Sequence, residues 1–219
     1  VKGQQRMMNK LTAVSLFTGA GGMDIGFERA GIEVVFANEL MSEAAATYRA
    51  NHTAGVMVND DVNNILDSLD QFQGVDFVFG GPPCQGFSVA GKMDPDDNRS
   101  KLIFTFLDVV EKVRPRAFVM ENVKALGMLE KWEPVRKRYL ERAYALGYNC
   151  VPFILNATEY GVSQKRERVF FIGVRNNSDP FFEHCMNDLL LQQKNKAPIV
   201  RTLLQPLGRA GTVTNPDTC

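Results

Sequence analysis

Val14-Ser15-Leu16-Phe17-Thr18-Gly19-Ala20-Gly21-Gly22 runs from a short apolar strand into a helix through a turn rich in glycine. Glycine carries no Cβ, so such a turn can bend tightly and can bring backbone N–H groups close to a ligand. The next apolar strand ends on Glu39, twenty residues after Gly19. A carboxylate at that position can accept hydrogen bonds from both hydroxyls of a ribose. Together the turn and Glu39 point to an adenosine-containing cofactor, and they leave a nicotinamide dinucleotide and S-adenosylmethionine equally open. A glycine turn needed only for tight strand-to-helix packing is the plain alternative, and Glu39 weighs against it.

Outward from this turn, apolar runs at Ala13 to Phe17, Val34 to Ala37, Phe77 to Phe79, Phe118 to Met120, Val151 to Leu155 and Val169 to Val174 read as buried strands. Between them, Met23 to Ala30, Ser42 to Asn51, Ser100 to Val113 and Glu133 to Leu146 show helical periodicity, and Gly31 and Gly147 supply stop signals. Alternating strands and helices predict an α/β fold: a doubly wound, mostly parallel sheet with helices on both faces. Residues 1–176 form the expected cofactor-binding domain. From Asn177 the rhythm is lost, apart from a weak helical patch at Phe181 to Gln193, and 177–219 shows no clear second core. Gly80 to Asn98 is a long internal loop, a length that usually signals function.

Lys and Arg total 25 and Asp and Glu total 25, so net charge gives no sign of a polyanionic partner, although a local basic face is still allowed. No stretch approaches the roughly 20 apolar residues that span a bilayer, and VKGQQRMMNK has no apolar signal core, so a cytoplasmic protein without a membrane partner is expected. Cys84, Cys150, Cys185 and Cys219 form no Cys-x-x-Cys pair and have no histidine cluster nearby, which argues against a metal site or a disulfide framework.

Three further segments carry chemistry. Gly80-Gly81-Pro82-Pro83-Cys84-Gln85-Gly86-Phe87-Ser88 follows a core strand, which brings Cys84 to the carboxyl end of a parallel sheet, where ligands bind in this architecture. A cysteine so placed can act as a nucleophile if its pKa is lowered, whereas Cys150, inside an apolar strand, reads as a small buried hydrophobe. Glu121, in Phe118-Val119-Met120-Glu121-Asn122-Val123, stands at another strand end on the same sheet edge; it can donate a proton to a ring nitrogen, or it is simply a solvated carboxylate. Gln164-Lys165-Arg166-Glu167-Arg168 enters the last strand. Alternation puts Arg166 and Arg168 on one face, where two guanidiniums can hold an anion or a base oxygen, with a solvated charge run as the plain reading.

In order and spacing these segments resemble the motif set of the DNA (cytosine-5) methyltransferases, over Ala13 to Val174: Phe17-Thr18-Gly19-Ala20-Gly21-Gly22 for the cofactor, Pro82-Pro83-Cys84-Gln85 for the nucleophile, Glu121-Asn122-Val123 for the carboxylate and Gln164 to Arg168 for the arginines. The resemblance implies the Rossmann-like S-adenosylmethionine methyltransferase variant of the doubly wound sheet. It implies Phe17 against the adenine, Gly19, Ala20, Gly21 and Gly22 along the cofactor, Glu39 on its ribose and Asp61 near its amino group. Leu40, Val62, Pro83 and Leu102 would line the same pocket. A bare Asp such as Asp61 is otherwise a common turn or helix cap.

The resemblance further implies a cytosine flipped out of duplex DNA, attack by Cys84 on carbon 6, assistance from Glu121 at ring nitrogen 3, Arg168 on the base oxygen and Arg166 in support. Gln85 and Ser88 would sit on a closing loop, and Lys92, Arg99 and Lys101 would meet phosphates. Protection against a companion restriction enzyme is the family's common bacterial setting. After the arginines the family continues into a target-recognition domain and a closing motif; by the resemblance 177–219 is the start of an incomplete target-recognition region, with Ile199 to Cys219 like an interrupted lead-in to it, and the closing motif is not recognisable here. The missing parts are expected from a further segment or from a second polypeptide. A non-catalytic methyltransferase-like or DNA-binding subunit is the alternative from another class. A branch of the family acts on transfer RNA, but Cys84-Gln85-Gly86-Phe87-Ser88-Val89-Ala90-Gly91 looks more like the DNA branch.

Overall fold

A computed structural model describes residues 10–53, 55–83, 101–176 and 181–207. Within them, strands β1 (Thr12–Leu16), β2 (Glu33–Glu39), β3 (Val56–Asn59), β4 (Phe77–Gly80), β5 (Ala117–Val123), β6 (Tyr148–Asn156) and β7 (Glu167–Arg175) form one sheet in the order β3-β2-β1-β4-β5-β7-β6. The helices are α1 (Gly22–Arg29), α2 (Ser42–Asn51), α3 (Val62–Ile65), α4 (Lys101–Val113), α5 (Lys124–Met128), α6 (Glu133–Ala145), α7 (Phe182–Gln192) and α8 (Val200–Leu204). The four pairings that join β3, β2, β1, β4 and β5 are all parallel. The chain runs outward from β1 to β3 and then resumes on the other side of β1 with β4. The direction of winding therefore reverses between β1 and β4, and their carboxyl ends flank the crevice where this architecture binds ligands.

Strand alternation separates two cores, one on each face of the sheet. Val14, Leu16, Val78, Phe118 and Met120 face α4 and α6, whose Ile103, Phe106, Leu107, Val110, Val135 and Tyr139 complete the larger cluster. Ala13, Val34, Ala37 and Phe79 face the other way, against Tyr48 of α2 and Met23 and Phe27 of α1. Phe27 stacks on Phe79 with centroids 3.8 Å apart. The register steps from Ala13↔Val34 to Val14↔Phe36, so Val35 is an extra residue that bulges β2 and keeps both faces apolar beyond it. Each large apolar side chain buried in this way contributes about 1.5–3 kcal/mol.

The elements follow the sequence pattern closely, with the short helices α3, α5 and α8 added to it. β3 was not among the expected strands, because Val56-Met57-Val58-Asn59 is short and both of its ends are exposed. Glu121 was expected at a strand end, yet Asn122 and Val123 still belong to β5. The described residues of Val1–Phe153 and Val169–Ser178 form one compact unit, and those of Ile154–Arg168 and Asp179–Cys219 a second. By this division the end of β6, the first two residues of β7 and the turn between them fall in the second unit. Inside the second unit, Glu159 accepts from Asn195 N (2.7 Å) and Lys194 Nζ (2.6 Å), while Gly161 N donates to Asn195 O (3.0 Å).

Candidate active site

The glycine turn leaves β1 through Phe17, whose φ of 53° puts a bulky residue in the left-handed region. Such a conformation persists only where its surroundings over-determine it, and it clusters at ligand sites. Here the Phe17 ring packs on the larger core while Thr18 N donates to Asn38 O at 3.1 Å. Glu39, 8% exposed, uses both carboxylate oxygens: Oε2 accepts from Gly19 N and Oε1 from Met41 N, each at 2.8 Å. The carboxylate therefore ties the turn after β1 to the turn after β2. Each oxygen keeps lone-pair capacity for a ribose hydroxyl.

Two asparagines fix the neighbouring turns reciprocally. Asn38 Nδ2 on β2 donates to Val58 O (3.3 Å) and Asp60 O (2.9 Å), and Asn59 Nδ2 on β3 donates back to Glu39 O and Leu40 O, both at 2.9 Å. Asp61 caps α3, its Oδ1 accepting from Asn63 N at 2.8 Å and from Asn63 Nδ2 at 2.7 Å. The capping role weighed from sequence is thus present, and Asp61 also lines a cavity. That cavity, of about 300 Å³, is bounded by Phe17, Gly19, Glu39, Leu40, Asp61, Val62, Pro83 and Leu102, all named from sequence, together with Asn38, Met41, Ala44, Asp60 and Gly81, which were not. Ala20, Gly21 and Gly22 are not among its walls. Leu40 and Met41 are 64% and 62% exposed beside it, an apolar rim that a flat ligand ring would cover.

The strand that carries the cysteine loop lies directly against β1. A Cβ on Gly80 would stand 2.3 Å from the Leu16 carbonyl oxygen, so only glycine permits this approach. One residue on, a Cβ on Gly81 would lie 3.2 Å from Glu121 Oε2, which sets the carboxylate beside a wall of the cavity. Asn122, 2% exposed, donates to Pro82 O at 3.1 Å and accepts from Val123 N at 2.9 Å, anchoring the base of the loop to β5. Cys84, Gln85, Ser88, Lys92 and Arg99 lie outside the described residues. Lys101 is exposed at the start of α4.

Arg166 and Arg168 belong to the second unit. Arg166 is exposed ahead of β7, its carbonyl accepting from Ala157 N at 2.9 Å; Arg168 lies within β7, with Nη1 donating to Glu167 O at 2.9 Å. Cys150 packs against the larger core, where burial pushes its thiol well above the usual range and makes it a poor nucleophile. Among the described residues there is no cluster of three metal-binding side chains, and no helix is long and apolar enough to cross a membrane.

A family model for C-5 cytosine-specific DNA methylases matches residues 11–215. Type II methyltransferase M.FnuDI of Fusobacterium nucleatum is 40% identical over 163 residues, covering 74% of this chain and 46% of that protein. Type II methyltransferase M.AquIA of Picosynechococcus is 39% identical over 180 residues, covering 74% of this chain and 71% of that one. Among solved structures, a DNA modification methyltransferase encoded within an E. coli prophage superposes with a TM-score of 0.65 at 33% identity, covering 75% of this chain and 47% of that one. The chain spans about half the length of most of the curated relatives it matches.

Proposed function

The chain belongs to the C-5 cytosine-specific DNA methylase family, and from that premise we propose that it carries the catalytic half of an enzyme that methylates carbon 5 of a cytosine flipped out of duplex DNA. S-adenosylmethionine, when bound, supplies an electrophilic methyl group. The cavity fits it: Glu39 offers lone pairs to a ribose, Phe17 and the apolar rim offer faces to an adenine, and Asp61 offers a carboxylate oxygen to an exocyclic amine. The observation that carries the reading is the Glu121 carboxylate beside Gly81, at the base of the Pro82-Pro83-Cys84 loop and against a wall of the same cavity.

Cytosine carbon 5 is too poor a nucleophile to accept a methyl group until the ring gains electron density. Cys84 supplies it by forming a bond from its thiolate sulfur to carbon 6, and the displaced ring electrons run toward nitrogen 3. Glu121 hydrogen-bonds or protonates that nitrogen, which stabilises the charge as it develops and leaves carbon 5 enamine-like. After methylation a base takes the carbon 5 proton, and the Cys84 sulfur leaves as thiolate. Arg168 holds the base oxygen with Arg166 in support, Gln85 and Ser88 close over the base, and Lys92, Arg99 and Lys101 meet phosphates. Ala20, Gly21 and Gly22 serve the cofactor from the turn rather than from the cavity wall. Target selection rests on a further segment or a second polypeptide, in keeping with a chain about half as long as most of the relatives it matches.

Duplex DNA carrying 5-fluorocytosine in random context tests this, because fluorine cannot leave as the proton does. With S-adenosylmethionine present, a covalent protein–DNA adduct that maps to Cys84 and vanishes in Cys84→Ser is expected. Folded protein that binds S-adenosylmethionine and DNA but forms no adduct, either alone or together with the polypeptide that completes it, would reduce the chain to a non-catalytic subunit.

A further inference from the structure

We propose that His52 is a positioning residue of the cofactor site, its Nε2–H donating to the Ala20 carbonyl while its ring braces Gly21 and so holds the glycine turn in its receptive shape. The proposal rests on the S-adenosylmethionine reading above. His52 follows α2, and its side chain is only 1% exposed. The ring lies flat on Tyr48, centroids 4.1 Å apart and planes 13° apart. Nδ1 is 3.0 Å from Glu28 Oε1, and Nε2 is 3.3 Å from Ala20 O. A carbonyl oxygen only accepts, so the contact with Ala20 is made by the N–H of Nε2.

Glu28 and Asp24 face the ring from α1, and Tyr48 supports it from α2 while its own hydroxyl donates to Asp24 Oδ1 at 3.0 Å. The fit against the turn is closest at Gly21, where a Cβ would stand 2.0 Å from His52 Nε2. Gly19 and Gly21, with φ of 57° and 88°, give the turn freedom that a ligand would otherwise have to quench on binding. Glu39 holds the turn at Gly19 N, from the cavity side. His52 holds it from behind, at Ala20 O and Gly21. A sequence reading misses this contact because it spans 32 residues and ends on a backbone carbonyl.

Two substitutions separate the donor from the bulk. His52→Gln can bring an amide nitrogen to the place of Nε2 and keep the bond to Ala20; His52→Asn reaches only the place of Nδ1 and keeps the contact with Glu28. Both lose the ring. In the intact protein, S-adenosylmethionine titrated by calorimetry is expected to bind His52→Asn about tenfold more weakly than His52→Gln, the equivalent of about 1.4 kcal/mol, while the two unfold at similar temperatures. Equal affinities would overturn the proposal and leave His52 a packing residue. Should neither variant fold, the wild-type ring decides: long-range proton–nitrogen NMR of the cofactor-bound protein must show a proton on Nε2, and a bare Nε2 overturns the donor role. Wild-type protein that binds no S-adenosylmethionine would instead sink the cofactor reading, and the role of His52 with it.

Discussion

At the scale of single residues, the glycine turn is backed by a fully buried carboxyl. Asp24 is 0% exposed in the first turn of α1. Burial pushes its carboxyl above the ordinary 3.8, against the opposing pull of neighbouring hydroxyls and of His52. The sign of the consequence follows from linkage. A folded state that holds this proton more tightly than the unfolded chain is favoured at low pH, and it loses that advantage as pH rises from the unfolded value through the raised folded one. Asp24→Asn removes the titration while it keeps an acceptor for Tyr48. Urea unfolding across a pH series is therefore expected to show a flatter profile for Asp24→Asn than for wild type over that window; parallel profiles would mean that the charge is compensated in place. Asp24, Tyr48 and His52 escape a motif reading because each, taken alone, looks like an ordinary helix residue. By contrast, Glu39 was readable from its spacing to Gly19, since strand length fixes where a strand-end carboxylate falls.

Elements meet most tightly where a glycine stands in for a side chain, and the partner atom decides the cost of filling the gap. A Cβ on Gly80 in β4 meets the backbone oxygen of Leu16 in β1 at 2.3 Å, and a Cβ on Gly173 in β7 meets the Phe118 ring at 2.2 Å. Backbone in a central parallel pair cannot retreat without losing ladder hydrogen bonds, whereas a ring can rotate within its core. Gly80→Ala is expected to cost about 3 kcal/mol or to prevent folding, and Gly173→Ala about 1–2 kcal/mol. Chemical denaturation that ranked them in the opposite order would contradict this account of the β1–β4 contact. Legibility follows a similar division. Central strands such as Val14 to Leu16, buried on both faces, and Phe118 to Met120 stand out in the sequence. β3 did not, because Val56 is 58% exposed on an edge strand and little of that strand needs to be apolar. Its end still matters to the site, since Asn59 and Asn38 lock the turns of β2 and β3 to each other. That lock runs through side chain to backbone carbonyl, a pairing no residue spacing encodes.

For the sheet unit as a whole, winding places the cavity walls at or after the strands' carboxyl ends or at the start of a following helix: Phe17 and Gly19 after β1, Asn38, Glu39, Leu40, Met41 and Ala44 at and after the end of β2, Asp60 to Val62 after β3, Gly81 and Pro83 after β4, and Leu102 in α4. A ligand in that crevice touches the turns while the buried strand centres stay as they are, so its effect on stability should be local in space and global in magnitude. Mass action sets the magnitude: S-adenosylmethionine at 100 times its Kd adds about 2.7 kcal/mol to the folded state. For a chain of this size, that corresponds to a rise of about 5–10 °C in Tm. Hydrogen exchange read by mass spectrometry gives the location. Protection on adding S-adenosylmethionine is expected at Thr18 to Gly22, Leu40 to Met41 and Asp60 to Val62. Leu11, Asp76 and Arg116, at the amino ends of β1, β4 and β5, should exchange as before. Protection concentrated at the amino ends would put the ligand on the wrong edge of the sheet, and a thermal shift without protection at the three turns would mean that it binds elsewhere. Either result would separate the fold, which the strand order secures, from the cofactor site inferred on its carboxyl edge.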